Sequence, residues 1–262
     1  MLRAMQLRVD NRGLLAAAMQ RWTWAGWNML QFGFTLLWTA GWIGLALCLL
    51  AATRRRDLAL RMASRCWAPG LLSGAGARLQ VDGAERVDWS RPYLLVANHQ
   101  SVIDICALFR AVPVPLRFLL KQEMTRVPFV GGYARATGML FISRDDRRAG
   151  PLLRRQSADL LRGGDCLCLF PEGTRSRSGD VATFKAGSFQ AAIDAGVDVL
   201  PVAIEGAGAV LPVDGFFRVR PGRIRVRFGD PLPVAGAEGA VDRQSLARQA
   251  QASVQALLRR TA

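Results

Sequence analysis

From Trp22 to Thr53 the chain carries no charged side chain, and this property constrains the N-terminal region more than any other. A helix over Phe32–Ala52 would be about 31 Å long at roughly 1.5 Å per residue, which matches the hydrocarbon core of a bilayer. Five of the seven tryptophans, Trp22, Trp24, Trp27, Trp38 and Trp42, lie in this run, where amphipathic rings suit the headgroup boundary. A cleaved signal peptide is disfavoured because a polar stretch precedes the run and the run itself is too long. Leu47, not a small residue, stands before Cys48, so lipoprotein processing is rejected as well. The flanks differ little: residues 1–21 hold four Arg and one Asp, residues 54–65 five Arg and one Asp. A single span and a bent or re-entrant pair of helices, broken near Gly26, Gly33 or Gly41, therefore both stay open.

The 262 residues carry 35 Lys+Arg against 20 Asp+Glu, a formal charge of +15. Such a balance calls for an anionic partner, whether nucleic acid, a lipid surface or phosphorylated small molecules. Residues 1–65 hold nine Arg and two acids, hence +7, so nearly half the excess flanks the apolar run and favours anionic lipid. A basic nucleic-acid-binding protein is the competing class, but charge is its only support and no reading motif accompanies it. No nucleic-acid partner is expected. His99 is the sole histidine, which excludes multi-histidine metal sites, and no metal is expected. The five cysteines, Cys48, Cys66, Cys106, Cys166 and Cys168, are odd in number and lack a C-x-x-C pair, which fits a reducing compartment. Cys166 and Cys168 read as small core residues on one face of a strand.

Beyond a basic, helical stretch (Arg54–Trp67) and a Pro/Gly-rich break (Pro69–Gly76), short apolar runs alternate with amphipathic ones. This texture predicts an α/β fold, a central mostly parallel or mixed sheet flanked by helices and preceded by the hydrophobic helical membrane element. Strands are expected at Arg78–Val81, Tyr93–Ala97, Arg117–Leu120, Met139–Ile142, Cys166–Phe170, Val199–Ile204 and Arg223–Phe228. Helices are expected at Val102–Arg110, Phe129–Thr137, Gly150–Arg162, Ser188–Ala195 and Ser245–Arg260. The division expected is a membrane-associated region over residues 1–70 and an α/β domain over residues 77–262.

Three polar clusters follow predicted strands, where open α/β sheets place their ligands. In Asn98-His99-Gln100-Ser101-Val102-Ile103-Asp104, His99 in a turn and Asp104 one turn into a helix could meet. The aspartate would then fix the tautomer and leave the other ring nitrogen free to take a proton from an alcohol. A histidine bonded structurally at a strand end accounts for this spacing equally well. Phe170-Pro171-Glu172-Gly173-Thr174-Arg175-Ser176 pairs a carboxylate with a guanidinium around a glycine, either an anion site or a tight turn with a local ion pair. Gly138-Met139-Leu140-Phe141-Ile142-Ser143-Arg144 delivers an arginine at a strand end, and Lys121 ends another strand in RFLLKQEM. A G-x-S-x-G elbow, a P-loop and a complete G-x-G-x-x-G are all missing, so direct transfer to a substrate hydroxyl is simpler than covalent catalysis.

Taken in order and spacing, NHQSVID, GMLFISR, FPEGTRS and VLPVAIEG resemble the four motif blocks of the glycerolipid acyltransferase family, over Tyr93 to Asp230. KQEM and FKAG resemble its lysine-bearing segments. The resemblance implies acyl transfer from a thioester, acyl-CoA or acyl carrier protein, to the sn-2 hydroxyl of 1-acyl-sn-glycerol-3-phosphate, giving phosphatidic acid. Another lyso-lipid acceptor, such as a lyso-ornithine lipid, is the alternative within the family. It further implies His99 as general base, Asp104 as its orienting partner, and Arg144, Glu172, Gly173, Thr174, Arg175 and Lys121 as acceptor-binding positions. Pro201 would match a position tied to the acyl donor. No cofactor beyond the acyl-CoA or acyl-ACP co-substrate is implied. The partners are the lyso-lipid, the acyl donor and the membrane surface, at the inner membrane with the catalytic domain on the cytoplasmic side.

Overall fold

The computed structural model describes residues 2–143, 149–214, 217–236 and 239–259, with side chains over 19–143, 150–214, 217–235 and 241–259. Its centre is a seven-stranded sheet in the order β1-β7-β6-β2-β5-β3-β4. The strands are β1 (Ala77–Asp82), β2 (Leu94–Ala97), β3 (Leu116–Lys121), β4 (Leu140–Ile142), β5 (Cys166–Leu169), β6 (Val199–Glu205) and β7 (Gly222–Phe228). Every neighbouring pair is parallel except β6 with β7. The sheet is therefore mixed and mostly parallel, and all seven expected strands form.

Burial follows from this topology. Parallel central strands are covered on both faces, so β2 and β5, the sequences LLVA and CLCL, are buried at every position. Alternation sends Leu95, Ala97, Cys166 and Cys168 to one face and Leu94, Val96, Leu167 and Leu169 to the other. The first face is covered by α3 (Ala68–Gly74) and α4 (Ile103–Ala111), the second by α6 (Ala149–Arg162), α7 (Gln190–Ala195) and α9 (Arg243–Arg259). The remaining helices of the domain are α5 (Val130–Thr137) and the short α8 (Ala207–Val210).

The N-terminal region departs from expectation in two places. Helix α1 (Leu2–Thr53) runs for 52 residues, about 78 Å at roughly 1.5 Å per residue, and passes through Gly26, Gly33 and Gly41 without a break. No neighbour comes within 4 Å of a Cβ built at these glycines, so none of them serves a close approach. The chain reverses instead at Arg54, whose φ is +56°. It returns as α2 (Arg56–Met62), a π-helical turn (Ala63–Trp67) and α3. The expected Pro/Gly break at Pro69–Gly76 is thus mostly helix: Pro69 follows directly on the π-helical turn, inside a helical run that continues from Arg56 to Gly74. Gly70 and Gly74 leave room for the rings of Trp38 and Phe34 on α1, which a Cβ would meet at 2.2 and 2.3 Å. The hairpin is stitched by Gln31 Nε2 donating to Gly74 O (2.6 Å), Trp38 Nε1 to Trp67 O (3.1 Å) and Trp67 Nε1 to Thr39 Oγ1 (3.1 Å).

Within α1, Met19–Thr53 is long and apolar enough to cross a membrane. Its inward face carries Gln31, Thr35 and Thr39, spaced by four, whereas Trp22, Met29, Leu30, Leu37 and Leu45 are exposed on the outside. A helix with its apolar face outward matches a lipid environment better than water.

At the C-terminal end of β2, the buried Asn98 ties the strand to β6. Its Nδ2 donates to Ile204 O and its Oδ1 accepts from Ile204 N, both at 2.8 Å. Asn98→Ala leaves that buried peptide pair without its partners, and we expect a loss of about 2–4 kcal/mol in denaturant unfolding at unchanged secondary structure.

Candidate active site

His99 leaves the end of β2, Glu172 follows β5, and Lys121 closes β3, so the parallel strands bring these residues to one edge of the sheet. The first two are joined closely. His99 Nδ1 lies 2.7 Å from Asp104 Oδ2. The same oxygen accepts the backbone N–H groups of Gln100 and Ser101, each at 2.8 Å. A carboxylate oxygen only accepts, so Nδ1 carries the ring proton and Nε2 presents a lone pair. Asp104 is fully buried and the His99 side chain is 17% exposed, so the dyad opens to solvent only at the imidazole. The ring is held flat against Phe170, with centroids 3.9 Å apart and planes within 11°.

Glu172 fixes the backbone of the same residue. Its Oε1 accepts from His99 N (2.8 Å) and its Oε2 from Ala182 N (2.9 Å). Ser176 N donates to His99 O (2.7 Å), so the segment after β5 brackets the histidine on both sides of its peptide. Gly173 turns this segment with φ +75°, a conformation that favours glycine. Thr174, Arg175 and Lys121 are exposed at this edge. Arg144, with Arg147 and Arg148, lies outside the described residues.

Pro201 is buried within β6, opposite Val96 of β2, and by alternation shares its face with Val199 and Ala203. Its ring leaves no N–H at this position, just past the end of β7, and the pairing there runs through its carbonyl, which accepts from Gly229 N. The buried thiols are poor nucleophile candidates: burial, reinforced by the Asp104 carboxylate, pushes Cys106 up to about 12 and Cys168 higher still.

Beside the dyad lies an apolar cavity of about 380 Å³. Val102, Ile103, Cys106 and Phe109 of α4 and its approach form one wall, Phe118 and Leu120 of β3 the floor, and Thr35, Thr39, Ile43 and Ala46 of α1 the roof. Leu211 lines it too, and its carbonyl accepts the Ser101 hydroxyl at 2.6 Å. The cavity is therefore lined by Val102 and Ile103 of the segment that joins His99 to Asp104. Sequence reasoning missed Phe170, Ala182 and the roof, because ring stacking and partners from distant segments leave no periodic signal. The polar residues Gln31, Thr35 and Thr39 at intervals of four inside an uncharged run were the available signal for the roof.

Burial raises the pKa of Glu172, offset in part by the N–H groups of Ala182 and His99. The folded state then holds this proton more tightly than the unfolded chain. The ionisation consequently costs no stability below the unfolded-state pKa and a growing amount as pH rises through the folded-state one. The stability lead of the native chain over Glu172→Gln should narrow from acidic to neutral pH, as read by denaturant midpoints.

The acyltransferase family model matches residues 78–205, which contain the dyad and the Glu172 segment. The chain is 34% identical over 215 residues to the lyso-ornithine lipid O-acyltransferase of Pseudomonas aeruginosa, covering 76% of this chain and 79% of that protein. It is 34% identical over 185 residues to a 1-acyl-sn-glycerol-3-phosphate acyltransferase of Chlamydomonas reinhardtii, covering 70% of this chain and 55% of that one. A bacterial protein of the same name, from Borreliella burgdorferi, is 30% identical over 130 residues, covering 50% and 52%. The chain spans about half the length of several such relatives. Among solved structures, the 1-acyl-sn-glycerophosphate acyltransferase PlsC of Thermotoga maritima superposes with a TM-score of 0.74 at 26% identity, covering 90% of this chain and 96% of that one. On sequence, extent and fold together, the chain belongs to the acyltransferase family.

Proposed function

We propose that the protein acylates the sn-2 hydroxyl of 1-acyl-sn-glycerol-3-phosphate, drawing the acyl group from acyl-CoA or acyl-ACP and yielding phosphatidic acid. The observation that carries this reading is the His99 Nδ1 to Asp104 Oδ2 contact beside an apolar cavity. In it, Nε2 removes the proton of the acceptor hydroxyl as its oxygen attacks the thioester carbonyl. The tetrahedral intermediate collapses by breaking the C–S bond, and the imidazolium returns the proton to the departing thiolate. Asp104 holds the ring and offsets its transient positive charge. Glu172, on this reading, acts as a positioning residue for His99, because both its oxygens are taken by backbone N–H groups. The exposed Arg175 and Lys121, together with Arg144, are assigned to the acceptor phosphate, and Pro201 to the donor side. The acyl chain is assigned to the cavity. The exposed apolar face of α1 supports seating at a membrane, which we take to be the inner membrane with the α/β domain on the cytoplasmic side.

A second reading keeps the chemistry and changes the acceptor to lyso-ornithine lipid. It is favoured by the match that spans 79% of the Pseudomonas aeruginosa protein. Crossing purified enzyme with both acceptors and both donor types decides between the two. The proposed function requires lysophosphatidic acid to be the better acceptor by at least about tenfold, a difference near 1.4 kcal/mol.

His99→Ala should lower turnover by about 10²- to 10⁴-fold while the variant still sediments with membranes. Turnover close to that of the native enzyme would exclude the base mechanism. Ala46→Phe, which narrows the roof of the cavity, should shift donor preference toward shorter acyl chains in a competition assay.

A further inference from the structure

Between β3 and α5 the chain forms a tip, Val127-Pro128-Phe129, that the catalytic reading does not use. Phe129 is 61% exposed and Val127 39% exposed, in contrast to the buried phenylalanines Phe109, Phe118, Phe184, Phe189 and Phe228. The backbone holds Phe129 outward. Its φ is +63° and its ψ −48°, and Val130 N donates to Pro128 O across it at 2.7 Å, which is a γ-turn of the rare positive-φ kind. A bulky residue seldom adopts that conformation, and the turn persists because its base is anchored. Gly131 N donates to Val127 O, and a Cβ at Gly131 would meet Thr125 O at 2.2 Å, so the loop closes on itself too tightly to relax.

Two further observations say what the tip meets. Met124 before it and Val130 after it both line the apolar cavity, and α5 packs against α1, whose outer face exposes tryptophan, leucine and methionine. The base of the tip thus joins the packing of α5 against α1, close to the helix that carries the exposed apolar face. Around it stand exposed cations, Arg126 in the turn and Arg135 on α5, whose guanidinium reaches back to Thr125 O at 3.3 Å. Apolar side chains flanked by Arg126 and Arg135, with Glu123 the exposed acid earlier in the segment, fit the acyl–headgroup boundary of a bilayer with anionic lipid.

We propose that the Val127–Phe129 tip inserts into the bilayer surface as a second membrane contact, with Arg126 and Arg135 on anionic headgroups. With α1 it would seat the domain on the membrane at two places and fix the tilt of the cavity mouth.

The test uses the full chain in vesicles and no enzymatic readout. In a Cys48→Ser, Cys66→Ser background, an environment-sensitive fluorophore is attached at Phe129→Cys, at Val127→Cys, or at Arg155→Cys as a reference on the exposed face of α6. Vesicles of phosphatidylcholine with phosphatidylglycerol carry a nitroxide lipid labelled high on the acyl chain. We expect quenching at positions 127 and 129 at least twofold above that at 155. In phosphatidylcholine alone the excess should fall by half or more, and the same fall should follow Arg126→Gln with Arg135→Gln in anionic vesicles. Quenching at both tip positions no greater than at 155 overturns the insertion. Equal quenching in neutral and anionic vesicles overturns the role given to the arginines.

Discussion

One oxygen of Asp104 holds the site together. Three donors converge on Oδ2: the His99 ring and the backbone N–H groups of Gln100 and Ser101. The other oxygen, Oδ1, is buried with no hydrogen-bond partner among the described residues. Burying a carboxylate is unfavourable unless its charge is offset, and here the offset comes from peptide dipoles at the start of α4. Those contacts shape the turn between β2 and α4, orient the imidazole and determine which ring nitrogen bears the proton. The rest of the edge builds on that turn. Asn98 clamps its entry to β6, Ser101 clamps its exit to Leu211, and Glu172 clamps its middle through the His99 peptide.

The clamps come from both sides of β2, which sits between β6 and β5 at the centre of the sheet. A change at any one therefore acts on the dyad through backbone position. Substituting the Glu172 carboxylate disturbs His99 without touching its ring. This distinguishes the glutamate from the exposed Arg175 next to it in the same motif. Proximity in sequence conceals two different environments, one buried and bonded to backbone N–H groups and one exposed to solvent.

Much of this architecture is legible in the amino-acid order. Apolar runs of four to seven residues bounded by polar loops are what buried parallel strands look like, and each expected strand forms within a residue or two of its expected bounds. His99 and Asp104 meet as their spacing allows, because a turn followed by one helical turn brings positions five apart together. What the order conceals is of two kinds. Pro69 and three nearby glycines look like a break, yet Pro69 is taken up just after a π-helical turn and Gly70 and Gly74 admit the rings of α1. Phe170 stacking on His99, and Glu172 reaching a peptide 73 residues earlier, depend on long-range pairing that no local pattern encodes.

The first turn of α4 also explains why an apolar roof and a polar dyad belong to one site. Consecutive helical residues are rotated by about 100°, so Val102 and Ile103 can face the cavity while Asp104 faces the imidazole. The cavity wall and the carboxylate of the dyad are therefore carried by consecutive residues of one turn. Gln31, Thr35 and Thr39 of α1 turn toward that cavity together with Ile43 and Ala46, while Trp22, Met29, Leu30, Leu37 and Leu45 are exposed on its outer face. The same helix thus closes the apolar cavity on one side and exposes an apolar face on the other. The uncharged run that dominates the sequence is therefore a wall of the cavity beside the dyad.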